Sequence, residues 1–203
     1  QGGEDHQLWL ASRAPVAASP EGKVDFERIG NRLDIRTNRP AALNAIDRNL
    51  RDELFDAFSV TVADPEIETV VWRAEGKAFS TGADLGEFGT TRDPARAHEI
   101  RMQTLPAIPL IRCGHKVRVH IQGACIGAGL EMAAFAGHIS ASGNAWFQLP
   151  ELAMGLIPGA GGCVSVSRRI GAERTAQLVI SGRRINAQTA LEWGMVDEIS
   201  DNP

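Results

Sequence analysis

The chain has 203 residues, 43% of them hydrophobic and 23% charged, with a formal net charge of -4. That is ample apolar material for one core, so a disordered or fibrous chain is excluded, and scattered lysines and arginines in a mildly acidic chain argue against a nucleic-acid partner. No apolar run reaches the ~18 residues that a membrane-spanning helix needs, because Glu131 interrupts the longest stretch.

The opening residues place acids ahead of a short apolar patch broken by Arg13, the wrong order for a secretory leader. Residues 1-22 are expected to be a flexible lead-in, and 23-203 one domain. Val24 to Thr37 nearly alternates around Gly30-Asn31 and reads as a hairpin. From Asp47, a candidate N-cap, Leu50, Leu54, Phe58 and Val62 recur at helical spacing until Ala63-Asp64-Pro65. Thr69 to Ala74 reads as a buried strand that empties into the small-residue loop FSTGAD. Asp93 to Leu105 is expected to be helical and to be closed by Pro106 and Pro109. Val117 to Ile121 alternates, and a helix is expected from Ala128 to about Ala136. Ile139 to Ser142 and Ala145 to Gln148 read as short strands joined at Gly143-Asn144. Three glycine-stopped helical segments and a terminal strand, Val196 to Ile199, follow. Alternating strands and helices imply an α/β fold in layers.

Cys113, Cys125 and Cys163 lie in apolar segments without CxxC spacing, which fits small buried thiols in a reducing cytoplasm. The histidines show no metal-ligand spacing. GAGLEM after a strand suggests a dinucleotide fingerprint, but Met132 occupies the third small position, and IPGAGG lacks the Lys-Ser/Thr of a phosphate loop. Two features remain. The loops Ser80 to Asp84 and Ile126 to Glu131 are rich in small residues, so free backbone N-H groups there can meet an oxygen that gains charge during reaction; glycine clusters serve tight turns as well. Glu131 and Glu151 stand in otherwise apolar or glycine-rich sequence. Two such carboxylates can share acid and base work on one substrate. Equally, Glu131 can be a partly exposed helix residue and Glu151 a helix start after Pro150, and spacing alone favours that structural role.

NRPAALNAI (Asn38 to Ile46), KAFSTGADL (Lys77 to Leu85), IQGACIGAGLEMA (Ile121 to Ala133) and FQLPELAMGLIPGAGG (Phe147 to Gly162) occur in order. Together they closely resemble the enoyl-CoA hydratase/isomerase (crotonase) family over about residues 24-199. The resemblance implies a spiral of β-β-α units that assembles into trimers or dimers of trimers. It also implies an acyl-CoA thioester substrate in fatty acid metabolism, with no cofactor apart from the coenzyme A of the substrate and no metal. By position, Ala83 and Ala128 would donate two N-H bonds to the thioester oxygen. Glu131 and Glu151 match the two glutamates of the hydratase subgroup, which hold and activate the water added across a 2,3 double bond. Gly159 would line the water pocket. The backbone from Ala78 to Leu85, including Ser80, Gly82 and Asp84, would face coenzyme A together with Gly127.

The sequence departs from the family at Ala128, where glycine is usual, and at Gly86, where many members carry lysine or another polar residue. Set against the family, the C-terminal helical region is expected to be short or missing. An isomerase, a thioester or carbon-carbon hydrolase, and a non-catalytic binding protein are the competing readings. Leu85, Phe88, Trp146, Met154 and Leu156 are expected in the core rather than in a pocket.

Overall fold

The computed structural model describes residues 3-14, 20-91 and 93-200. A nine-residue helix, α1 (Glu4–Ser12), comes first, in the stretch expected to be a flexible lead-in. No apolar stripe marks it in the sequence; its only signal is Glu4 and Asp5 in the first turn, where acids suit the helix dipole. Alternation then forms β1 (Lys23–Ile29) and β2 (Arg32–Asn38), an antiparallel pair turned at Gly30, whose φ of 64° is left-handed. Asp47 caps α2 (Arg48–Ala63) by accepting the Leu50 N-H at 2.9 Å, and the helix buries Leu50, Leu54 and Phe58.

After β3 (Thr69–Ala74), α3 (Pro94–Gln103) ends earlier than expected and a second helix, α4 (Ala107–Cys113), follows. Pro109 therefore does not close a helix. It sits in the first turn of one, where no intrahelical acceptor awaits its missing N-H. The chain continues through β4 (Val117–Ile121), β5 (Ala124–Ile126) and α5 (Ala128–Ala133), the last shorter than expected. Next come β6 (His138–Ala141), β7 (Trp146–Gln148) and α6 (Gly162–Ser181), then β8 (Ile185–Asn186), α7 (Ala187–Trp193) and β9 (Glu198–Ile199). Gly171, at φ 82° and ψ 159°, breaks α6 where the sequence places a glycine stop.

Six strands form one sheet in the order β1-β2-β3-β4-β6-β9, parallel from β2 onward, and three form a second in the order β5-β7-β8. The chain places β4 in the large sheet, β5 in the small one and then α5; it repeats the step with β6, β7 and α6. This is a spiral of β-β-α turns. It explains why β6 and β7 do not pair with each other as adjacent short strands would. The core between the layers is built from Ile35, Phe58, Trp72, Phe79, Ile121, Leu130, Ile139 and Phe147. Cys113 and Cys125 are buried as expected, whereas Cys163, in the first turn of α6, is exposed.

A polar brace fixes the loop that leaves β3. Buried Asn44, at φ 55°, accepts the Arg39 N-H at 2.8 Å and donates to the carbonyls of Glu75 and Ala78 at 2.7 and 2.8 Å. Arg39, also buried, ties Asp84 at 2.6 Å and Asp47 at 3.4 Å. Asn44→Ala would leave one N-H and two carbonyls unmet and put an alanine at positive φ. A loss of about 3 kcal/mol or more is expected in urea unfolding, at 1-3 kcal/mol per buried unsatisfied group.

Candidate active site

The segment after β3 is stitched onto β5. Ser80 N-H donates to the Ala124 carbonyl at 3.0 Å and Ile126 N-H to the Ser80 carbonyl at 2.9 Å. The Ser80 hydroxyl donates to the Asn44 carbonyl at 2.8 Å and accepts the Gly82 N-H at 3.2 Å. Gly82, at φ 89°, then turns the chain. On one side of Ala83, Ile46 N-H donates to the Gly82 carbonyl, and on the other Asp84 N-H donates to the Ile46 carbonyl. In such a parallel bridge the N-H of Ala83 itself faces away from Ile46. It meets no acceptor among the described residues.

The second free amide arises at the start of α5. Gly127 adopts φ 49° and ψ -125°, a conformation closed to residues with a Cβ, and Ala128 N-H is the first donor of the helix. It too has no acceptor among the described residues. A Cβ built on Gly82 would lie 3.7 Å from the Ala128 nitrogen, so the two loops touch. Ala83 and Ala128 both line a cavity of about 740 Å3 and a smaller one of about 180 Å3 that meets it.

Glu131 and Glu151 line the larger cavity, at 2% and 7% exposure. Glu131 is not the partly exposed residue that spacing alone suggested, whereas Glu151 does start a helical turn after Pro150, buried rather than at the surface. Glu131 is held: its Oε2 accepts the N-H groups of Ala160 and Gly162 at 2.7 and 2.8 Å, at the start of α6. Gly162 has to be glycine, because a Cβ there would be 2.5 Å from Glu131 Cγ. Burial pushes the Glu131 carboxyl up against the opposing pull of those N-H groups and of Arg101. Glu151 begins a one-turn 3-10 helix, Glu151–Met154, and its Oε2 is buried with no partner. Burial first, and the charge of Glu131 second, raise its carboxyl to about 7. A carboxyl poised near neutrality and aimed into a cavity is suited to proton transfer.

Of the other residues singled out in the sequence, Gly82, Leu85, Gly127 and Gly159 line the large cavity, and Asp84 lines the small one. Ala78 and Ser80 are buried beneath the loop, at 3% exposure each, and line neither; Ser80 supports the loop from below. Phe88, Met154 and Leu156 line the large cavity rather than the core. Trp146 lines neither and lies under Arg184, whose guanidinium carbon is 4.0 Å from the ring centroid.

Two contributors escaped the sequence. Arg101 of α3 lines both cavities beside Gly159, and its guanidinium pairs with no carboxylate within 4 Å among the described residues. From α1, Asp5 and His6 form part of the wall. The acids in the first turn of α1 could have revealed the helix, but no pattern tells which surface it covers. Among the described residues no helix is long and apolar enough to cross a membrane, and no group of His, Cys, Asp or Glu is placed to hold a metal ion.

Two unused amides beside two buried acids define a site able to bind a carbonyl oxygen as negative charge builds on it, while protons move at adjacent atoms. Residues 30-202 match the family model described as enoyl-CoA hydratase/isomerase, and the chain belongs to that family. The 2,3-dehydroadipyl-CoA hydratase of Escherichia coli K12 is 32% identical over 172 residues, 82% of this chain and 65% of its own length. The mitochondrial enoyl-CoA hydratase of Pongo abelii is 33% identical over 165 residues, 81% of this chain and 56% of its own. The chain thus spans less than two thirds of these relatives. Among solved structures, enoyl-CoA hydratase from Thermoplasma volcanium superposes with a TM-score of 0.77 at 33% identity, covering 88% of this chain and 72% of that one. DspI from Pseudomonas aeruginosa gives 0.79 at 31% identity, covering 93% and 72%. The spiral of β-β-α turns is the crotonase fold of these neighbours.

Proposed function

We propose that the chain is an enoyl-CoA hydratase, adding water across the 2,3 double bond of a 2-enoyl-CoA. The observation that carries this reading is the pair of buried carboxylates, Glu131 and Glu151, lining one cavity with the free N-H groups of Ala83 and Ala128. In the reaction the thioester oxygen accepts both N-H groups. Water, aligned by Glu131, bonds through its oxygen to C3 and passes its proton to Glu131. The C2-C3 π pair moves to form an enolate whose charge rests on the thioester oxygen. Protonated Glu151 then gives its proton to C2, and a proton returned from Glu131 through solvent resets the pair. The names of the Escherichia coli and Pongo abelii relatives support hydration as the reaction type. A homotrimer or dimer of trimers, in the cytoplasm, belongs to the same reading.

Incubation with crotonyl-CoA, 3-enoyl-CoA and 3-hydroxyacyl-CoA, each followed by chromatography of the thioesters, tests it. Interconversion of crotonyl-CoA and 3-hydroxybutyryl-CoA is expected. Migration of the double bond without water addition would make the protein an isomerase, and release of free coenzyme A would make it a hydrolase. Absence of any acyl-CoA binding in calorimetry would remove the enzyme readings together. Glu131→Gln keeps an oxygen for the Ala160 and Gly162 N-H groups but loses the base. Turnover should fall by about 10²-fold or more while the KM for crotonyl-CoA moves less than threefold.

A further inference from the structure

Glu151 presents a problem of aim. A proton donor works only when its oxygen is held at the reacting carbon, yet Glu151 Oε2 has no hydrogen-bond partner among the described residues. Glu131, by contrast, is held by two N-H groups. The hydrogen bond that acts on its carboxyl comes from its own backbone N-H, so the direction of Glu151 is set through its backbone, the four-residue turn Glu151–Met154, and so short a 3-10 turn does not hold its shape alone. Its carbonyls at the C-terminal end need donors. Gly155 N-H donates to Leu152 at 3.0 Å and Leu156 N-H to Glu151 at 3.0 Å. Of the other two, that of Ala153, an exposed residue, meets no donor among the described residues, and that of Met154 accepts a hydrogen bond from α1: His6 Nδ1 donates to it at 2.8 Å.

The placement of His6 is itself built. The ring is 5% exposed, stacks on Trp9 at 5.6 Å between centroids and meets Phe88 edge-on at 6.0 Å. Gly155, at φ 65°, admits the helix, since a Cβ there would be 2.5 Å from the His6 nitrogen. At the other end Arg13 donates to the carbonyls of Leu85 and Phe88, the latter at 2.9 Å, and its guanidinium carbon lies 5.5 Å from the centroid of the Trp9 ring. One helix thus joins the segment that follows Ala83 to the turn that carries Glu151. Asp5 and His6 close the cavity between them.

We propose that His6 is a positioning residue for Glu151, acting through the Met154 carbonyl, and that α1 is a working wall of the active site. The inference rests on the hydratase reading. His6→Ala removes the donor, whereas His6→Asn keeps an amide N-H where Nδ1 stands. With crotonyl-CoA, His6→Ala should lower kcat about 30-fold with KM within threefold, and His6→Asn should recover kcat to within about threefold of the parent. In a Glu151→Gln background, His6→Ala should change the residual turnover less than twofold, because there is no longer an acid to aim. His6→Ala with unchanged kcat overturns the proposal. So does an Asn variant as impaired as the Ala variant, or an undiminished effect of His6→Ala in the Glu151→Gln background, each of which would mark His6 as packing only. Should His6→Ala fail to fold, the Asn variant decides. A parent chain that hydrates nothing would instead defeat the hydratase reading.

Discussion

Glu151→Gln is expected to reduce crotonyl-CoA hydration by about 10³-fold, within the range of a lost general acid, with acyl-CoA binding largely retained. The amide cannot give up a proton to C2, yet it fills the same space. The parent's turnover should also fall as pH rises above about 7, where the carboxyl loses the proton it must donate. Stability moves with it. The folded chain holds this proton up to about 7 against an ordinary value of 4.5, so the contribution is fully present below 4.5 and is lost as pH rises through 7. At 1.36 kcal/mol per unit this amounts to about 3 kcal/mol at most. The Gln variant has no such loss, so at pH 8.5 it should outlast the parent in urea. An active variant would mean that Glu151 is not the acid, and a variant with no stability gain at alkaline pH would mean that its charge is not costly in the fold.

Gly127→Ala should be as damaging for a different reason. The new methyl would lie 2.6 Å from Glu151 Oε1, and φ 49° with ψ -125° is strained for any residue with a Cβ. Both ways of relieving the clash harm the site: Glu151 swings away, or the loop rotates and turns the Ala128 N-H from the place proposed for the thioester oxygen. Loss of one oxyanion donor alone is worth about 10²- to 10³-fold in kcat. A drop in kcat/KM of about 10³-fold is expected, together with about 1-3 kcal/mol of stability. Steady-state kinetics beside thermal unfolding would check both, and activity within tenfold of the parent would show that neither group needs its present position.

Much of the frame was readable because it follows local rules. Alternation around Gly30, the 3.6-residue recurrence of Leu50, Leu54 and Phe58, and the Asp47 cap each stand within one element. The carboxylates could be named from motif likeness, but their burial could not, since it depends on layers remote in sequence. β5 and β8, with three and two residues, are too short to show a period, so the small sheet and the separation of β6 from β7 were hidden. The Asn44 and Arg39 brace draws on Asp84, Glu75 and Ala78, 31 to 45 positions away. α1 hid because its packing uses one histidine, one tryptophan and one arginine rather than an apolar stripe.

The break at Gly171 bears on how the protein tolerates change. Nothing lies within 4 Å of where a Cβ would be, so glycine is kept there for its backbone angles and not for space. The rod before it presents its amide end to Glu131, and the rod after it sends Leu178 into the interior. With the peptide ladder cut between them, a shift in the second rod has no rigid lever on the first. The distal half can drift in composition and tilt while the field at the Glu131 carboxylate stays as it is.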